Sequence, residues 1–316
     1  MCELDKYLKD AKTVGISGHI RPDGDCIGSC LALYNYIVEN YEEVTPYIFL
    51  ENPDSKFNII SNFYKIQESP DDNLEFDVFF ALDSGDRERL GDFITMFDRA
   101  KMTVCIDHHI SNEGYAQENY IFPKSSSASE VLFGLMDEEK INKDVAEALY
   151  LGIAHDTGCF RYSCTSSDTM VAASKLIGKE INIVDLLEET FFIKSYQEQK
   201  ITARIMLEAE LLFGNKCIFG SCTSNMMNEY GVKPSGLGGV VSELRNIEGV
   251  ECAVFIYQTG EDSYKVSLRS NRYLNVSEIA VKFGGGGHVR ASGYDVKGSL
   301  EKVKKDILSE VEKNIK

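Results

Sequence analysis

Apolar and polar positions follow two alternating patterns along the first half of the chain. Short apolar runs rich in Val, Ile and Phe are typical of buried parallel strands, and the stretches between them carry apolar residues at helical spacing. The predicted strands are 13–18, 44–50, 77–82 and 102–106. The predicted helices are 28–39, 87–100, one that starts in the serine-rich segment 125–130, and 142–153. This alternation predicts an α/β fold whose N-terminal sheet is mostly parallel, with helices on both faces.

The second half of the chain has a different pattern. From roughly 182 to 212 it is helical and polar, which predicts a helix that links two domains. The later predicted strands are 216–222, 250–258, 263–269 and a short one around Tyr294. The later predicted helices are 236–245, 276–283 and one that begins at Ser299. The predicted organisation is an N-terminal domain at 1–185, a linking helix at 186–212, and a smaller α/β domain with a mixed sheet at 213–316.

Composition places the chain among ordinary globular proteins, since 43% of its 316 residues are hydrophobic and 26% are charged. No apolar run is long enough to span a bilayer, and residues 1–5 lack the positive flank of a signal peptide. The nine cysteines, among them Cys2, Cys26 and Cys30, form no CxxC pair. That spacing favours reduced, mostly buried thiols over a disulfide framework or structural zinc. We therefore expect a cytoplasmic protein with no membrane partner.

The net charge of -17 and the pI near 4.8 restrict the class of substrate. A protein that binds long nucleic acid needs a basic face, so long duplex nucleic acid is not an expected partner. A small anionic molecule remains compatible with the charge if metal ions and a few arginines supply a local positive field. Small phosphorylated molecules fit this description.

Each of the five histidines lies within four residues of an aspartate or directly after a glycine run. Three of them belong to acidic clusters that follow predicted strands. The clusters are His19-x-x-x-Asp23-x-Asp25, Asp83 and Asp107-His108-His109. In an open α/β sheet, residues just beyond the carboxyl ends of the strands converge on one crevice. The pattern therefore predicts a binuclear metal site.

The candidate ligands are two imidazoles and four carboxylates, with no thiolate. They are His19, Asp23, Asp25, Asp83, His108 and Asp156. Such oxygen-rich sites suit manganese, magnesium or cobalt. Four carboxylates also balance the charge of two divalent cations, which in such sites activate water for in-line attack on phosphorus.

Three neighbouring residues are assigned differently. Asp107 is interpreted as a residue that orients a histidine rather than as a ligand. His109 could contact a phosphate oxygen or protonate a leaving group, and a structural role is equally compatible with the sequence. His155 is interpreted as a packed or surface histidine. Asp107 and His109 are thus the candidate catalytic residues.

With these residues in place, the chain resembles the DHH phosphoesterases over nearly its whole length. The N-terminal motifs that carry the resemblance are the clusters at His19, Asp83 and Asp107, together with Asp156-Thr157-Gly158. The C-terminal motif is the run from Phe283 through four glycines and His288 to Ala291-Ser292-Gly293, which is similar to the DHH-associated nucleotide-binding domain. The absence of further domains and of membrane segments resembles the stand-alone branch of nano-RNases and pAp phosphatases.

The resemblance implies two metal ions, with manganese expected. The implied ligands are His19 and Asp23 for one ion, Asp25, His108 and Asp156 for the other, and Asp83 as a bridge between them. His109 would face the scissile phosphate. The implied nucleotide contacts are Arg269, His288, Arg290 and the backbone amides of Gly285, Gly286 and Gly287. Glycines suit this last role because their amides can approach a phosphate closely.

The predicted function is hydrolysis of short oligoribonucleotides to mononucleotides, with pAp as a further expected substrate. One alternative is a phosphodiesterase that acts on cyclic di-AMP or pApA, since these substrates need the same ions and pocket. The other is a non-catalytic nucleotide sensor, which would require a lost ligand, and none of the six is missing. The expected partners are short single-stranded RNA or a dinucleotide, and the resemblance leaves room for a homodimer.

Overall fold

The computed structural model describes residues 3–315, which divide after Ile193 into two compact units. We call them the N-terminal unit and the C-terminal unit. Cys2 and residue 1 lie outside the described residues. The division falls inside the segment 186–212 that the sequence predicts as a linker.

The N-terminal unit is built on a sheet of six parallel strands. The strands are β1 (Thr13–Gly18), β2 (Thr45–Phe49), β3 (Ile66–Gln67), β4 (Val78–Leu82), β5 (Met102–Asp107) and β6 (Glu118–Ile121). Their order in the sheet is β3-β2-β1-β4-β5-β6. The chain first builds outward from β1 through β2, then returns to place β4 on the other side of β1. The predicted parallel sheet is confirmed, and its topological switch point lies between β1 and β4, where ligands bind in open α/β sheets.

Helices cover both faces of this sheet. They are α1 (Asp5–Leu8), α2 (Gly24–Asn40), α3 (Ile94–Arg99), α4 (Ala128–Leu135), α5 (Lys143–Asp156), α6 (Ser167–Ile177) and α7 (Ile183–Leu187). Side chains alternate along β4, with Phe80 in the core that contains α2 and α5, and Phe79 in the smaller core that contains α3. Because both faces of β4 are buried against a core, every position of the strand is apolar.

One predicted helix of the N-terminal unit differs in kind from the expectation. The segment predicted as a helix at 87–100 is a 3-10 helix at Arg87–Phe93 followed by α3. Gly91 has a φ of +59°, which lies outside the helical region and interrupts a continuous helix.

The C-terminal unit is a second, smaller α/β structure. Its helices are α8 (Tyr196–Glu208), α9 (Ser224–Tyr230), α10 (Val240–Arg245), α11 (Val276–Lys282) and α12 (Leu300–Asn314). Its strands are β7 (Glu210–Leu212), β8 (Cys217–Cys222), β9 (Cys252–Gly260), β10 (Ser263–Ser270), β11 (Gly286–His288) and β12 (Ala291–Lys297). The order is β11-β12-β10-β9-β8-β7, in which only β8 and β9 are parallel neighbours. The predicted mixed sheet is confirmed.

The polar segment predicted as one linking helix is helical in two pieces. α7 continues into a π-helical turn at Glu188–Phe192, and the chain is then extended at Ile193. A new helix starts after Ser195, whose side chain accepts a hydrogen bond from the Glu198 backbone while Glu198 accepts one from the Ser195 backbone. This capping box explains the second start. Within residues 3–315, no helix combines the length and the apolar character that crossing a membrane requires.

Candidate metal centre

The segment Asp23-Gly24-Asp25 forms the start of α2, which begins at Gly24 and not at the predicted position 28. Asp23 caps this helix, because its Oδ1 accepts hydrogen bonds from the backbone N–H groups of Asp25 (3.1 Å) and Cys26 (3.2 Å). Gly24 is required by close packing, since a Cβ at this position would lie 2.2 Å from Cγ of His155. The cap therefore fixes where both carboxylates of the motif project.

His155 lies outside the cluster of candidate ligands as a packed aromatic residue. Its ring centroid lies 5.3 Å from that of Phe57 and 5.1 Å from that of Phe191. Its Nε2 lies 3.3 Å from Oγ1 of Thr190. These contacts agree with the packed role expected for His155 from the sequence.

Asp83 follows β4 directly and lies at the centre of the candidate site. Its Oδ2 is 3.4 Å from Nε2 of His19, whereas its Oδ1 is 3.5 Å from Nε2 of His108 and 3.7 Å from Nδ1 of His109. The two carboxylate oxygens therefore face two different sets of donors. The residue is 2% exposed, its φ is +53°, and within residues 3–315 its Oδ1 has no hydrogen-bond partner. An unsatisfied buried oxygen and a strained backbone are both typical of functional sites.

The remaining candidate ligands surround the two histidines. His19 Nε2 lies 3.7 Å from Oδ1 of Asp23, and His108 Nε2 lies 3.1 Å from Oδ2 of Asp156 and 3.9 Å from Oδ2 of Asp25. The structure thus brings all six side chains of the predicted ligand set together. They come from the ends of β1, β4 and β5, from α2 and from the C-terminus of α5.

The cluster needs positive charge. Burial lowers the pKa of His108, but Asp156 and Asp83 overcome this effect and raise it well above its ordinary value. The pKa of His19 is raised in the same way against the effect of burial. Burial and the neighbouring Asp83 raise the pKa of Asp25 well above its usual range. Carboxylates this close together repel one another, and divalent cations would offset that repulsion by competing with protons for the ligands.

The residues present fit divalent cations. The donors are imidazole nitrogens and carboxylate oxygens, the unsatisfied Oδ1 of Asp83 faces into the cluster, and Asp25, Asp83 and His108 offer atoms within 4.8 Å of one another. Sequence reasoning did not place Cys26 here, yet its Sγ lies within 4.8 Å of donor atoms of His19 and Asp83. Burial raises the pKa of Cys26 well above its ordinary value, so it is a neutral thiol and agrees with the small buried residue expected.

Asp107 connects His109 to a residue that sequence reasoning missed. Nδ1 of His109 donates to Oδ1 of Asp107 at 2.8 Å, and Nδ2 of Asn112 donates to Oδ2 of the same carboxylate at 2.7 Å. Asn112 also donates to the Ser84 carbonyl at 3.2 Å and accepts from the Gly114 N–H at 2.9 Å, which fixes its amide. Burial alone would raise the pKa of Asp107, but the bond from His109 lowers it. Asp107 therefore orients His109, and Asn112 orients Asp107.

The predicted nucleotide contacts lie in the C-terminal unit, where the glycine run forms β11 at the edge of the sheet. A Cβ on Gly285 would lie 2.3 Å from the Gly293 carbonyl, and one on Gly287 would lie 2.5 Å from the Ala291 carbonyl. Packing against β12 thus explains these two glycines. A Cβ on Gly286 would meet no atom within 4 Å, so packing does not explain this third glycine.

The basic residues that are predicted to contact a nucleotide have partners within the C-terminal unit. Arg290 donates to the carbonyls of Leu274 (2.8 Å) and Arg272, and Arg269 donates to the carbonyl of Leu268 at 3.0 Å. His288 pairs with Ala291 at the end of β11 and is half-buried. Arg290 therefore holds the backbone that leads into α11. Contacts of these residues with a nucleotide stay predictions.

Comparison with known proteins agrees with this geometry. The N-terminal domain of the DHH family matches residues 13–153, and the DHHA1 domain matches residues 215–316. A probable bifunctional oligoribonuclease and PAP phosphatase NrnA from Streptococcus mutans is 27% identical over 288 residues, covering 90% of each chain. The bifunctional oligoribonuclease and PAP phosphatase NrnA of Bacillus subtilis is 26% identical over 300 residues, covering 93% of this chain and 92% of its own.

Among solved structures, an exopolyphosphatase-related protein from Bacteroides fragilis has the same fold, with a TM-score of 0.88 and 24% identity over 98% of this chain and 95% of its own. The resemblance drawn from the sequence motifs is confirmed by the two matching domains. The chain belongs to the DHH family, with a DHHA1 domain after its DHH domain.

Proposed function

We propose that this protein hydrolyses short oligoribonucleotides to mononucleotides and pAp to AMP, with two divalent cations held at the carboxyl end of the parallel sheet. The observation that carries the proposal is the position of Asp83, whose two oxygens face His19 on one side and His108 on the other. A buried carboxylate with this arrangement suits a bridge between two ions. Membership of the DHH family makes the chain a phosphoesterase.

In this proposal, one ion is held by His19 and Asp23 and the other by Asp25, His108 and Asp156. Manganese is the proposed metal because the donors are oxygen-rich with imidazole. When bound, such ions activate water for attack on phosphorus and stabilise the leaving oxygen. The protein orients these ligands through the cap at Asp23 and the short loops after β1, β4 and β5.

His109 is proposed to contact the phosphoryl group. Its Nδ1 donates to Asp107, which holds the ring in one orientation, and its Nε2 is proposed to contact a phosphoryl oxygen or a leaving group. The nucleotide is proposed to contact Arg269, His288 and the amides of the glycine run. That assignment is supported by the match of the DHHA1 domain to 215–316.

Three features support the substrate class and the setting. Relatives that cover at least nine-tenths of the chain bear the name oligoribonuclease and PAP phosphatase. The net charge of -17 disfavours long polynucleotides. The eight cysteines among the described residues are free thiols, which supports a cytoplasmic location. A homodimer is part of the proposal, and light scattering would test it.

The test is a substrate panel with purified protein. Dinucleotides, five-residue RNA, pAp, pApA and cyclic di-AMP are incubated with manganese, magnesium or cobalt after complete removal of metal by a chelator. We expect mononucleotide release from the dinucleotide and AMP from pAp, with manganese restoring the highest rate. Turnover of pApA or cyclic di-AMP alone would favour the cyclic dinucleotide alternative, and binding without turnover of any substrate would favour a sensor.

A further inference from the structure

Asp25 is held by the start of another helix, which the proposed function does not use. Its Oδ2 accepts a hydrogen bond from the Ala128 N–H at 2.6 Å, and its Oδ1 accepts one from the Ser129 N–H at 3.0 Å. These are the first two residues of α4, whose N-cap is Ser127. The first N–H groups of a helix have no partner within the helix and favour an anion. Asp25 is 0% exposed, so this contact fixes the carboxylate in a dry environment.

The start of α4 is itself held in place by Glu130. A single oxygen, Oε2 of Glu130, accepts hydrogen bonds from the Ser126 N–H at 3.0 Å, from the Ser126 hydroxyl, and from Oγ1 of Thr169 at 2.7 Å. Ser127 accepts a hydrogen bond from the Glu130 N–H at 3.0 Å, whereas the Glu130 side chain bonds Ser126 and reaches α6 through Thr169. Glu130 therefore joins the segment before α4 to the start of α6.

Gly152 of α5 packs against the contact between Asp25 and the start of α4. A Cβ at this position in α5 would lie 2.0 Å from Oγ of Ser129 and 2.5 Å from Oδ1 of Asp25. Gly28 in α2 approaches α5 as closely, since a Cβ there would lie 2.6 Å from the Ala148 carbonyl. The lack of a side chain at Gly152 thus lets α5 pack directly against Ser129 and the Asp25 carboxylate.

We propose that Glu130 is a positioning residue for the metal ion that Asp25 holds: by fixing the start of α4, it keeps the Asp25 carboxylate aimed at His108 and Asp156. This inference rests on the proposed function, because it assumes that Asp25 is a ligand. Glu130 touches neither substrate nor ion and acts through the backbone amides of Ala128 and Ser129. Residues that orient a ligand in this way commonly contribute about 10- to 100-fold in metal affinity.

The test is manganese binding to the full-length, metal-free protein, measured by calorimetry and by electron paramagnetic resonance. In the wild type, we expect two ions. Asp156→Asn identifies the ion on the Asp25 side, because it removes a ligand of that ion only. We expect Glu130→Ala to lower the affinity for this ion by roughly tenfold or more. The affinity for the other ion should stay within about threefold of the wild-type value.

Glu130→Gln separates positioning from charge. All three donors bind one oxygen of Glu130, so a glutamine carbonyl oxygen can replace it, and affinity should stay within about threefold of the wild type. The matched control is Glu198→Ala, which removes a carboxylate that accepts a backbone N–H at the start of α8 in the other unit. This control should leave both ions unchanged.

Gly152→Ala is a second, independent route to the same contact. Alanine favours a helix, but its methyl group would clash with Ser129 and Asp25. The affinity for the same ion should therefore fall by roughly tenfold or more. Circular dichroism of each metal-free variant checks that it is folded. The inference is overturned if Glu130→Ala and Gly152→Ala both bind the two ions with the affinities of the control. It is also overturned if both variants lower the affinities for the two ions equally. If the wild type itself binds no manganese, the proposed function fails first.

Discussion

Strand β4 carries an aspartate at each end, and the two residues have opposite surroundings. Before the strand, Asp77 accepts backbone hydrogen bonds from Lys12 (2.7 Å) and Thr13 (3.1 Å), and its other oxygen lies 2.8 Å from Nζ of Lys101. After the strand, Asp83 is buried among other carboxylates and imidazoles, and its Oδ1 has no hydrogen-bond partner within residues 3–315.

The difference separates a structural carboxylate from a proposed metal ligand. Both carboxylate oxygens of Asp77 are bound by backbone N–H groups or by Lys101, so neither is available to a ligand. Asp83 has a left-handed φ of +53° and an unsatisfied oxygen, and both cost free energy. A cation bound at Oδ1 would offset the cost of the unsatisfied oxygen. In parallel sheets, the carboxyl ends of the strands point toward the ligand crevice, so the same residue type acquires two roles along one strand.

Substitution of Asp83 should give the largest effect. Asp83→Asn keeps the shape but removes the charge that faces His19 and His108, and we expect the rate of dinucleotide hydrolysis to fall by roughly 10³-fold. Manganese stabilises a folded state that binds it, so the wild-type melting temperature should rise with added metal. That rise should be lost in Asp83→Asn and kept in Asp77→Asn. Equal metal responses in the two variants would remove the contrast between the ends of β4.

An intermediate effect is expected one contact further from the cluster. Asn112→Ala removes the bond to Oδ2 of Asp107, which should lower kcat by about tenfold with little change in KM, because His109 is misoriented while substrate contacts remain. Asn119→Ala is the control: the Asn119 side chain bonds the backbone of Ala116, just before β6, and its loss should leave kcat unchanged.

The Asn112 prediction is sharpened by a double substitution. If Asn112 acts through Asp107, then adding Asn112→Ala to Asp107→Ala should cost little more than Asp107→Ala alone. Additive losses in kcat would show that Asn112 acts by another route.

The sequence predicted the parts of this site that depend on position after a strand. Asp83 directly follows β4 and His108 directly follows β5, and a parallel sheet brings such residues together whatever their separation along the chain. It did not predict the roles proposed for Asn112, Glu130 and Gly152, since these are inferred from packing between elements. The bonds from α4 to Asp25, for example, join residues 103 and 104 positions apart.

Local patterns did not give the exact start of one helix or the neighbours of the glycine run. The helix after β1 was predicted to begin at position 28, yet α2 begins at Gly24, where packing against His155 leaves no space for a side chain. The nucleotide contacts of the glycine amides stay a prediction, and the structure adds that Gly285 and Gly287 pack against β12. Periodicity identifies elements, whereas the reason for a given glycine depends on its neighbours in the folded chain.

The smallest effect is expected at Asp77, and it concerns stability. The Lys101 ammonium and the Lys12 amide lower the pKa of Asp77 to about 2, below the value near 3.9 of an unfolded chain. Such a group contributes stability that is present above pH about 4 and is lost as the pH falls toward 2. Since Lys101 is largely exposed, Asp77→Asn should cost only about 1 kcal/mol of unfolding free energy at pH 7.

Urea denaturation followed by circular dichroism at pH 7, 4 and 3 would measure the Asp77 contribution, and the gap between wild type and Asp77→Asn should narrow below pH 4. Asp72→Asn is the control, because Asp72 pairs with Arg99 at 3.2 Å on the surface and should change stability by less than about 0.5 kcal/mol. The rate of dinucleotide hydrolysis should be the same in both variants as in the wild type. A loss of activity in Asp77→Asn would contradict the division of roles along β4, because it would tie the satisfied carboxylate to the chemistry at the opposite end of the strand.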